Sequence, residues 1–197
     1  MGFKKLLSHH HLVVLDTEWT SWAGFRESSW NLPGKFCEIV QIGAVKLDAQ
    51  DGFKEVGSFS VLVKPLRNPI LSDYFINLTG ITQRDVDANG RPFAAALDDF
   101  ISFSDGCLLS SFGGDEVIFE INYKLNDLPY FFHDRVFINV APMIGKFLGR
   151  DHTTFLSSDI PELFGFPPTG VKHQAIDDAR CTAQALVIIG RDRQTKT

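Results

Sequence analysis

The order of its strand-like segments constrains the fold of this chain more than any other feature of the sequence. Three short apolar runs rich in β-branched residues lie at residues 11–19, 38–48 and 55–65, and such runs are typical of buried strands. The second and third are joined through the letters AQDG, in which Asp-Gly is a strong turn signal. The first third of the chain therefore predicts three consecutive strands.

The rest of the chain alternates between helix-like and strand-like patterns. A short helix that ends in a glycine-containing loop is predicted within residues 72–82, and further helices are predicted at 92–103, 115–128, 157–165 and 176–190. Strand-like runs lie between them, at residues 107–112 and in residues 135–144, where a strand leads into another helix. Consecutive strands followed by alternating helices and strands predict an α/β domain with a mixed sheet.

The length of 197 residues suits one domain with a substantial core. We assign this domain to residues 11–190, with a lead-in at 1–10 and a C-terminal tail at 191–197. The net charge of −5 argues against a surface that attracts polyanions everywhere, but it leaves room for one local nucleic-acid site.

Cysteine spacing and hydropathy indicate a cellular location. The three cysteines are widely separated, which fits free thiols in a reducing compartment better than a disulfide or zinc framework. No segment reaches the roughly 18 apolar residues that span a bilayer, and residues 1–15 lack a signal-peptide pattern. We therefore expect a cytoplasmic protein without a membrane partner.

Asp16 and Glu18 lie two residues apart at the end of the first predicted strand. In an extended chain both side chains leave the same face of the sheet, and neighbouring carboxylates repel unless a cation lies between them. Oxygen ligands of this kind suit Mg²⁺ or Mn²⁺. The alternative is that one acid is solvated where the strand emerges and the other caps the following loop.

Asp115 follows the letters LLSSFGG, where a predicted strand ends and two glycines let the backbone turn. Asp115 is then the first residue of the next predicted helix. It is either an ordinary N-cap or a further acid at the end of the sheet.

Helical phase separates the adjacent acids Asp177 and Asp178. At about 100° per residue, four residues of the apolar face lie within about 80° of Asp178, namely Thr182, Ala185, Leu186 and Ile189. Asp177 instead falls with Arg180 and Gln184 and is predicted to face solvent. A carboxylate on an apolar face needs a partner or a metal ion, so Asp178 is the candidate ligand.

His173 lies just before this helix, where a loop can direct an imidazole toward the pocket of Asp178. The alternative is a core histidine that hydrogen bonds to the acid.

In chain order, these residues resemble the DEDDh, or DnaQ-like, 3′–5′ exonuclease superfamily. The resemblance rests on the ordered motifs VVLDTEWT, EIVQIGAVKL, NLTGIT, SSFGGDE, VFINV and GVKHQAIDDARCTAQAL, which together cover about residues 11–190. The ending H-x-x-I-D-D-A-R is most similar to the branch of enhanced-RNA-interference and histone-mRNA exonucleases. This resemblance implies an RNase H-like fold, a five-stranded mixed sheet flanked by helices.

The resemblance also implies a mechanism. Two divalent ions, Mg²⁺ or Mn²⁺, would be held by four acids, namely Asp16, Glu18, Asp115 and Asp178. His173 would act as the general base for the attacking water, since an unperturbed pKa of about 6.5 suits that task near neutral pH. The product would be a nucleoside 5′-monophosphate.

The partner implied by the resemblance is the 3′ end of a single-stranded nucleic acid, RNA rather than DNA. Trp19, next to the acids, and Leu78, in NLTGIT, are the candidates for stacking against the terminal base. Each has a structural alternative, because Trp19 could belong to the core and Leu78 could pack against the edge of the sheet.

Two other functions are compatible with the sequence. One is a DNA-directed proofreading or repair exonuclease of the same superfamily, and the other is an inactive nucleic-acid-binding module. The insert at residues 21–35 is longer than in many relatives, and it is either a substrate-facing flap or a packed excursion.

Overall fold

The computed structural model describes residues 3–129, 132 and 135–195. In this part of the chain a five-stranded sheet has the order β3-β2-β1-β4-β5. Its strands are β1 (His11–Trp19), β2 (Ile39–Asp48), β3 (Lys54–Leu62), β4 (Leu108–Ser111) and β5 (Phe137–Asn139). Strand β2 is antiparallel to β1 and β3, whereas β4 is parallel to β1 and β5. The predicted mixed sheet is confirmed.

The described residues form seven α-helices and three 3₁₀ helices. The α-helices are α1 (Asp73–Thr79), α2 (Gln83–Asn89), α3 (Phe93–Phe103), α4 (Asp115–Leu125), α5 (Ala141–Leu148), α6 (Ile160–Phe164) and α7 (Ala175–Thr195). The 3₁₀ helices are Phe3–Ser8, His152–Thr154 and Ser157–Asp159.

Helix α2 was not predicted from the sequence. Thr82 caps its first turn through a capping box, in which its hydroxyl accepts from the backbone of Asp85 and the Asp85 carboxylate bonds the backbone of Thr82. The letters T-x-x-D were the available signal, but the helix is only seven residues long and shows little apolar periodicity.

Both faces of the sheet are covered by apolar side chains. Along β1, Leu12 and Val14 belong to the core cluster beneath α7, while Val13 and Leu15 belong to the cluster beneath α3 and α4. Because side chains alternate along a strand, Asp16 and Glu18 continue the α7 side of β1. This alternation brings the two acids toward the start of α7.

The two ends of the chain also pack against the domain. In the segment predicted as a lead-in, Phe3 and Leu6 are buried in the cluster beneath α7. Helix α7 continues to Thr195, five residues beyond the end at 190 predicted from the sequence, so part of the predicted tail is helical.

The cysteine prediction agrees with the structure. Cys37, Cys107 and Cys181 are all free thiols. Among the described helices, none has the length and apolar character that crossing a bilayer requires.

Candidate active site

One edge of the sheet collects the chemically active side chains. Strands β1 and β4 are parallel, with Leu12 opposite Leu108 and Leu15 opposite Ser111, so their carboxyl ends lie at the same edge. Asp16 and Glu18 occupy the end of β1, and Asp115 follows the end of β4. The carboxyl ends of parallel strands in α/β sheets are the usual position of binding sites.

The two acids of β1 do not behave as freely solvated groups. Glu18 is buried and Asp16 is partly exposed. Burial raises the pKa of both carboxyl groups, and so do neighbouring negative charges, those of Asp115 and Glu18 for Asp16 and those of Asp178 and Asp115 for Glu18. The alternative of a solvated acid at the end of the strand therefore does not apply to Glu18, which is buried.

Asp115 is the first residue of α4 and not its cap. The N-cap position is taken by Gly114, which has no side-chain hydrogen bond to the helix. The buried Asp115 carboxylate instead accepts a hydrogen bond from the hydroxyl of Thr17, at 2.6 Å. Asp115 is therefore not an N-cap residue, because its side chain is directed toward Thr17 on β1.

Asp178 lies on the buried face of α7, as its helical phase predicted. Its exposed fraction is 3%, and the four residues predicted to share its face are all buried, namely Thr182, Ala185, Leu186 and Ile189. The helix thereby carries a carboxylate into the same region as the acids of β1.

Asp177 lies on the polar side of α7 with Arg180, as predicted, but it is only partly exposed to solvent. Only 18% of its side chain is exposed, because the loop before α7 folds over it. The backbone N–H of Val171 donates to its carboxylate at 2.9 Å, and Gly170 approaches so closely that an added Cβ would lie 2.1 Å from the Asp177 carboxyl carbon. Asp177 therefore holds the loop that leads to His173.

His173 is held next to Asp178 by its backbone. The N–H of His173 donates to the Asp178 carboxylate at 3.3 Å, and the φ of 60° places His173 in the left-handed region that non-glycine residues rarely adopt. Possible ligand atoms of Glu18, His173 and Asp178 all lie within 4.8 Å of one another. The hydrogen bond to the acid comes from the backbone, so the imidazole is not used in that contact.

A close approach between α7 and the sheet fixes the position of this helix. Gly43 on β2 lies opposite Asp16 on β1, and an added Cβ at Gly43 would lie 2.1 Å from the backbone nitrogen of Ile176. No other residue type leaves room for the start of α7 at this point. The contact sets the distance between Asp178 and the acids of β1.

Two glutamines tie the start of α7 to the surrounding elements. The buried Gln41 on β2 accepts from the backbone N–H of Ala175 at 2.8 Å and donates to the side chain of Gln174 at 3.2 Å. Gln174 in turn donates to the carbonyl of Thr79, at the end of α1, at 2.6 Å. The loop that carries His173 is thus linked to both β2 and α1.

Burial raises the pKa values of all four acids, and repulsion by the other acids of the site adds to this effect for Asp16 and Glu18. Burial, with the charges of Asp178 and Asp115, raises the pKa of Glu18 to about 8. Burial raises the pKa of Asp178 to about 7 and that of Asp115 to about 6. The pKa of Asp16 is raised by burial and then by the charges of the other three.

The imidazole of His173 is shifted in the opposite direction. Burial and the positive charge of Lys172 lower its pKa, and the charge of Asp159 partly offsets this effect. The ring is consequently neutral at neutral pH, which is the state in which a histidine accepts a proton.

The donor set fits a divalent cation. Four carboxylates placed together at the edge of the sheet are unfavourable on their own, and a cation between them removes both the repulsion and the need for protons. Oxygen donors are the ligands that Mg²⁺ and Mn²⁺ prefer. A second group of possible ligands, His10, His11 and Asp48, lies at the opposite end of β1.

The two predicted base-stacking residues lie on β1, which also carries Asp16 and Glu18, and on α1. Trp19 follows Glu18 directly, is partly exposed, and contacts Phe25 and Trp30 edge to face. Leu78 is exposed on α1, one residue before the Thr79 that accepts the hydrogen bond from the His173 loop. Neither residue is a fully buried core side chain.

Several residues that position the site were missed in the sequence. Thr17 holds Asp115, the Ser157 side chain partly offsets the rise in the pKa of Asp16, and the pair Gln41 and Gln174 fixes the start of α7. A signal existed for Gln41, which is a polar residue within the apolar run EIVQIGAV. Ser157 offered none, because its contact depends on where a distant loop passes.

Comparison with known proteins identifies the family. The exonuclease family model (RNase_T) matches residues 13–186, and the chain belongs to this family. The family assignment made from the ordered motifs is confirmed. DEDDh members of this family use divalent metal ions, which agrees with the donor set at the edge of the sheet.

Three similar proteins illustrate the range of the family. ERI1 exoribonuclease 2 of Xenopus laevis is 36% identical over 93 residues, which cover 47% of this chain and 12% of that protein. DNA polymerase III PolC-type of Thermotoga petrophila (strain ATCC BAA-488 / DSM 13995 / JCM 10881 / RKU-1) is 27% identical over 89% of this chain and 11% of that protein.

The third is a solved structure, the nuclease domain of 3′hExo, a DEDDh family member, bound to rAMP. It is 25% identical, has a TM-score of 0.80, and covers 94% of each chain. The present chain therefore matches a whole nuclease domain, but only a small part of the length of the other two relatives.

Proposed function

We propose that this protein is a metal-dependent 3′–5′ exonuclease that releases nucleoside 5′-monophosphates from the 3′ ends of single-stranded nucleic acid, with RNA as the preferred substrate. The observation that carries the proposal is the meeting of four buried or half-buried carboxylates and a neutral histidine at one edge of an exonuclease-family sheet.

The metal ligands in this proposal are the four acids Asp16, Glu18, Asp115 and Asp178. They would hold two divalent ions, Mg²⁺ or Mn²⁺, whose chemistry is the polarisation of a phosphodiester oxygen and the neutralisation of developing charge. The protein contributes the positions of the acids, which Thr17 and Gly43 fix by a hydrogen bond and by a close approach.

His173 is the general base. Its lowered pKa keeps the imidazole ready to accept a proton from the attacking water. The backbone bond to Asp178 and the contact between Asp177 and Val171 hold the histidine loop in place. The proton-accepting ring and the ligating acids are thereby kept in a fixed relation.

The terminal nucleotide lies between Trp19 and Leu78 in this proposal. Stacking on such side chains contributes about 1–3 kcal/mol per base and tolerates every base, because each base has a flat face. A paired end cannot be splayed in this way, which favours single strands.

The preference for RNA is supported by the similarity to ERI1 exoribonuclease 2 and to 3′hExo, which was solved with rAMP. The similarity to a PolC-type DNA polymerase III favours the second candidate, a DNA-directed exonuclease with the same chemistry.

Matched 5′-labelled RNA and DNA oligonucleotides of identical base sequence test the proposal in the presence of Mg²⁺ or Mn²⁺. A ladder of 3′-shortened products, faster for RNA, is expected, with nucleoside 5′-monophosphates released. Faster shortening of DNA would support the second candidate, and products shortened from the 5′ end or cut internally would contradict both.

A further inference from the structure

The insert at residues 21–35 is a folded structure with aromatic side chains at its centre. Phe25 is buried and contacts Trp22, Trp30 and Trp19 edge to face, with ring centroids 5.3, 5.6 and 6.4 Å away. Trp19 and Trp30 approach more closely, at 4.8 Å. Because Trp19 follows Glu18 in β1, this aromatic cluster begins one residue from the acids.

Part of the cluster is open to solvent. Trp30 has an exposed fraction of 44%, and Trp22 is partly exposed. An exposed tryptophan on a buried phenylalanine support presents a large apolar surface without being part of the core.

A buried acid anchors the end of the insert. The Glu38 carboxylate accepts three short backbone N–H bonds at 2.6–2.7 Å, from Leu66, Arg67 and Asn68. The Asn68 side chain bonds the backbone of Phe36 and Gly34. These bonds hold the insert against the loop after β3, so its aromatic surface is preorganised.

Helix α1 connects the insert with the histidine loop. At its start, the Ser72 hydroxyl donates to the carbonyl of Ser21 in the insert, and at its end the carbonyl of Thr79 accepts from Gln174. Between these contacts Tyr74 and Leu78 are exposed, four residues apart and hence on the same side of the helix. Tyr74 and Leu78 thus form an exposed surface on the helix that links the histidine loop with the insert.

Positive charge accompanies this surface in a protein with a net charge of −5. The Lys35 ammonium lies 4.5 Å from the centre of the Trp22 ring, and Arg26 and Arg67 are exposed nearby in the insert and in the loop that Glu38 anchors. Aromatic rings beside ammonium and guanidinium groups match the bases and phosphates of a single strand.

We propose that Trp22, Trp30, Tyr74 and Lys35 form an upstream subsite, which binds the nucleotides immediately 5′ of the terminal one. This inference rests on the proposed exonuclease function and adds the extent of its substrate contact. The rings stack against bases without reading their sequence, and Lys35 contacts a phosphate. The occupant is the same single strand whose 3′ end enters the acid site, because α1 bonds both the insert and the histidine loop and because Trp30 contacts Trp19, the residue after Glu18.

Substrate length separates the two sites in an experiment. The p-nitrophenyl ester of uridine 5′-monophosphate fills only the terminal site, whereas single-stranded nonauridylate also fills the upstream subsite. We expect the ratio of kcat/KM for nonauridylate to kcat/KM for the ester to fall about 5- to 150-fold in Trp30→Ala, through KM, since stacking contributes about 1–3 kcal/mol per base. Trp30→Phe keeps a flat ring and should retain most of the ratio.

A matched control is Val56→Ala, which removes an exposed apolar side chain from β3, near the end of β2 that lies away from the acids. Its ratio should equal that of the wild type. A second, independent measurement is the salt dependence of KM for nonauridylate. Lys35→Met should reduce the slope of log KM against log salt concentration by about 0.7, the value of one phosphate contact on a single strand.

The outcomes distinguish the two proposals. A wild type that hydrolyses both substrates, with an unchanged ratio in Trp30→Ala and an unchanged slope in Lys35→Met, overturns the upstream subsite and leaves the exonuclease function standing. An equal loss on both substrates in Trp30→Ala also overturns it, because Trp30 would then only support Trp19. A wild type that attacks neither substrate with Mg²⁺ or Mn²⁺ contradicts the exonuclease function itself.

Discussion

The imidazole of His173 lies among groups that act on its charge in opposite directions. Burial and the positive charge of Lys172 lower its pKa, while the negative charge of Asp159 raises it. The Lys172 ammonium also donates a hydrogen bond to the Asp159 carboxylate, at 3.2 Å. The net effect is a lowered pKa, so the proton-accepting form is already populated below neutral pH. A general base with this character loses activity only on the acid side of its pKa.

Replacement of His173 tests this role at the level of one residue. We expect His173→Ala to reduce kcat by about 10²–10⁴-fold, the usual contribution of a positioned general base. Thermal stability should change little, because the hydrogen bond from His173 to Asp178 comes from the backbone N–H, which the alanine variant keeps. The measurement is kcat for single-stranded RNA at saturating Mn²⁺. A kcat within threefold of the wild type, about 0.7 kcal/mol in the activation barrier, would remove His173 from the mechanism.

The two adjacent aspartates show what a sequence can and cannot specify at this scale. The buried position of Asp178 follows from helical phase alone, which is a local property of the chain. The contact between Asp177 and Val171 depends on the path of the loop before α7, and the left-handed backbone of His173 depends on the same path. Neither is encoded in the periodicity of the helix.

At the scale of elements, the site depends on how α7 is seated on the sheet. Gly43 permits the contact with Ile176, while Gln41 and Gln174 connect the start of the helix with β2 and α1. A side chain at position 43 would push the helix, and with it Asp178, away from the acids of β1.

Addition of one methyl group at position 43 tests whether this contact positions α7 on the sheet. Gly43→Ala places a Cβ 2.1 Å from the nitrogen of Ile176, and we expect it to lower the free energy of unfolding by about 1–3 kcal/mol or more and to reduce exonuclease activity. Urea denaturation and RNA shortening measure the two effects. The control is Gly57→Ala on β3, where the nearest atom would be 3.6 Å away, in ordinary contact. Equal behaviour of the two variants would contradict the role of Gly43.

The elements themselves were largely predictable, because each strand and each long helix carries its own periodicity. Helix α2 was missed since a seven-residue helix has too few apolar positions to show a period, and its capping box is a weaker signal. The structure of the insert could not be predicted from the sequence either. Its packing depends on contacts with residues far along the chain, such as the bond between Ser72 and Ser21 and the bonds between Glu38 and residues 66–68.

At the scale of the whole molecule, the acid cluster links stability to pH and to metal ions. In the metal-free protein the pKa of Glu18 is about 8, against an ordinary value of 4.5. Between these pH values the folded state binds more protons than the unfolded state, so the free energy of unfolding falls as pH rises. A divalent ion that replaces the protons should restore the lost stability, and more strongly at higher pH.

This linkage predicts a measurable pattern. Without metal, the free energy of unfolding should decrease between pH 5 and pH 8, and Glu18→Gln should flatten that decrease because it removes a carboxyl group whose pKa is raised to about 8. Addition of Mn²⁺ should raise the melting temperature of the wild type at pH 8 by more than at pH 5, and that of the variant by less. A melting temperature that is insensitive to Mn²⁺ at both pH values would contradict a cation site at these acids.

The most direct test of the central claim compares two neighbouring residues of α7 in the same assay. We expect wild-type protein with Mn²⁺ to convert 5′-labelled single-stranded RNA into a ladder of 3′-shortened products. Asp178→Asn should abolish the ladder, because it removes a carboxylate from the buried cluster. Asp177→Asn, which keeps an oxygen that can accept from Val171, should retain most of it. Equal loss in the two variants, or shortening by Asp178→Asn at the wild-type rate, would contradict the assignment of Asp178 as a metal ligand of a 3′–5′ exonuclease.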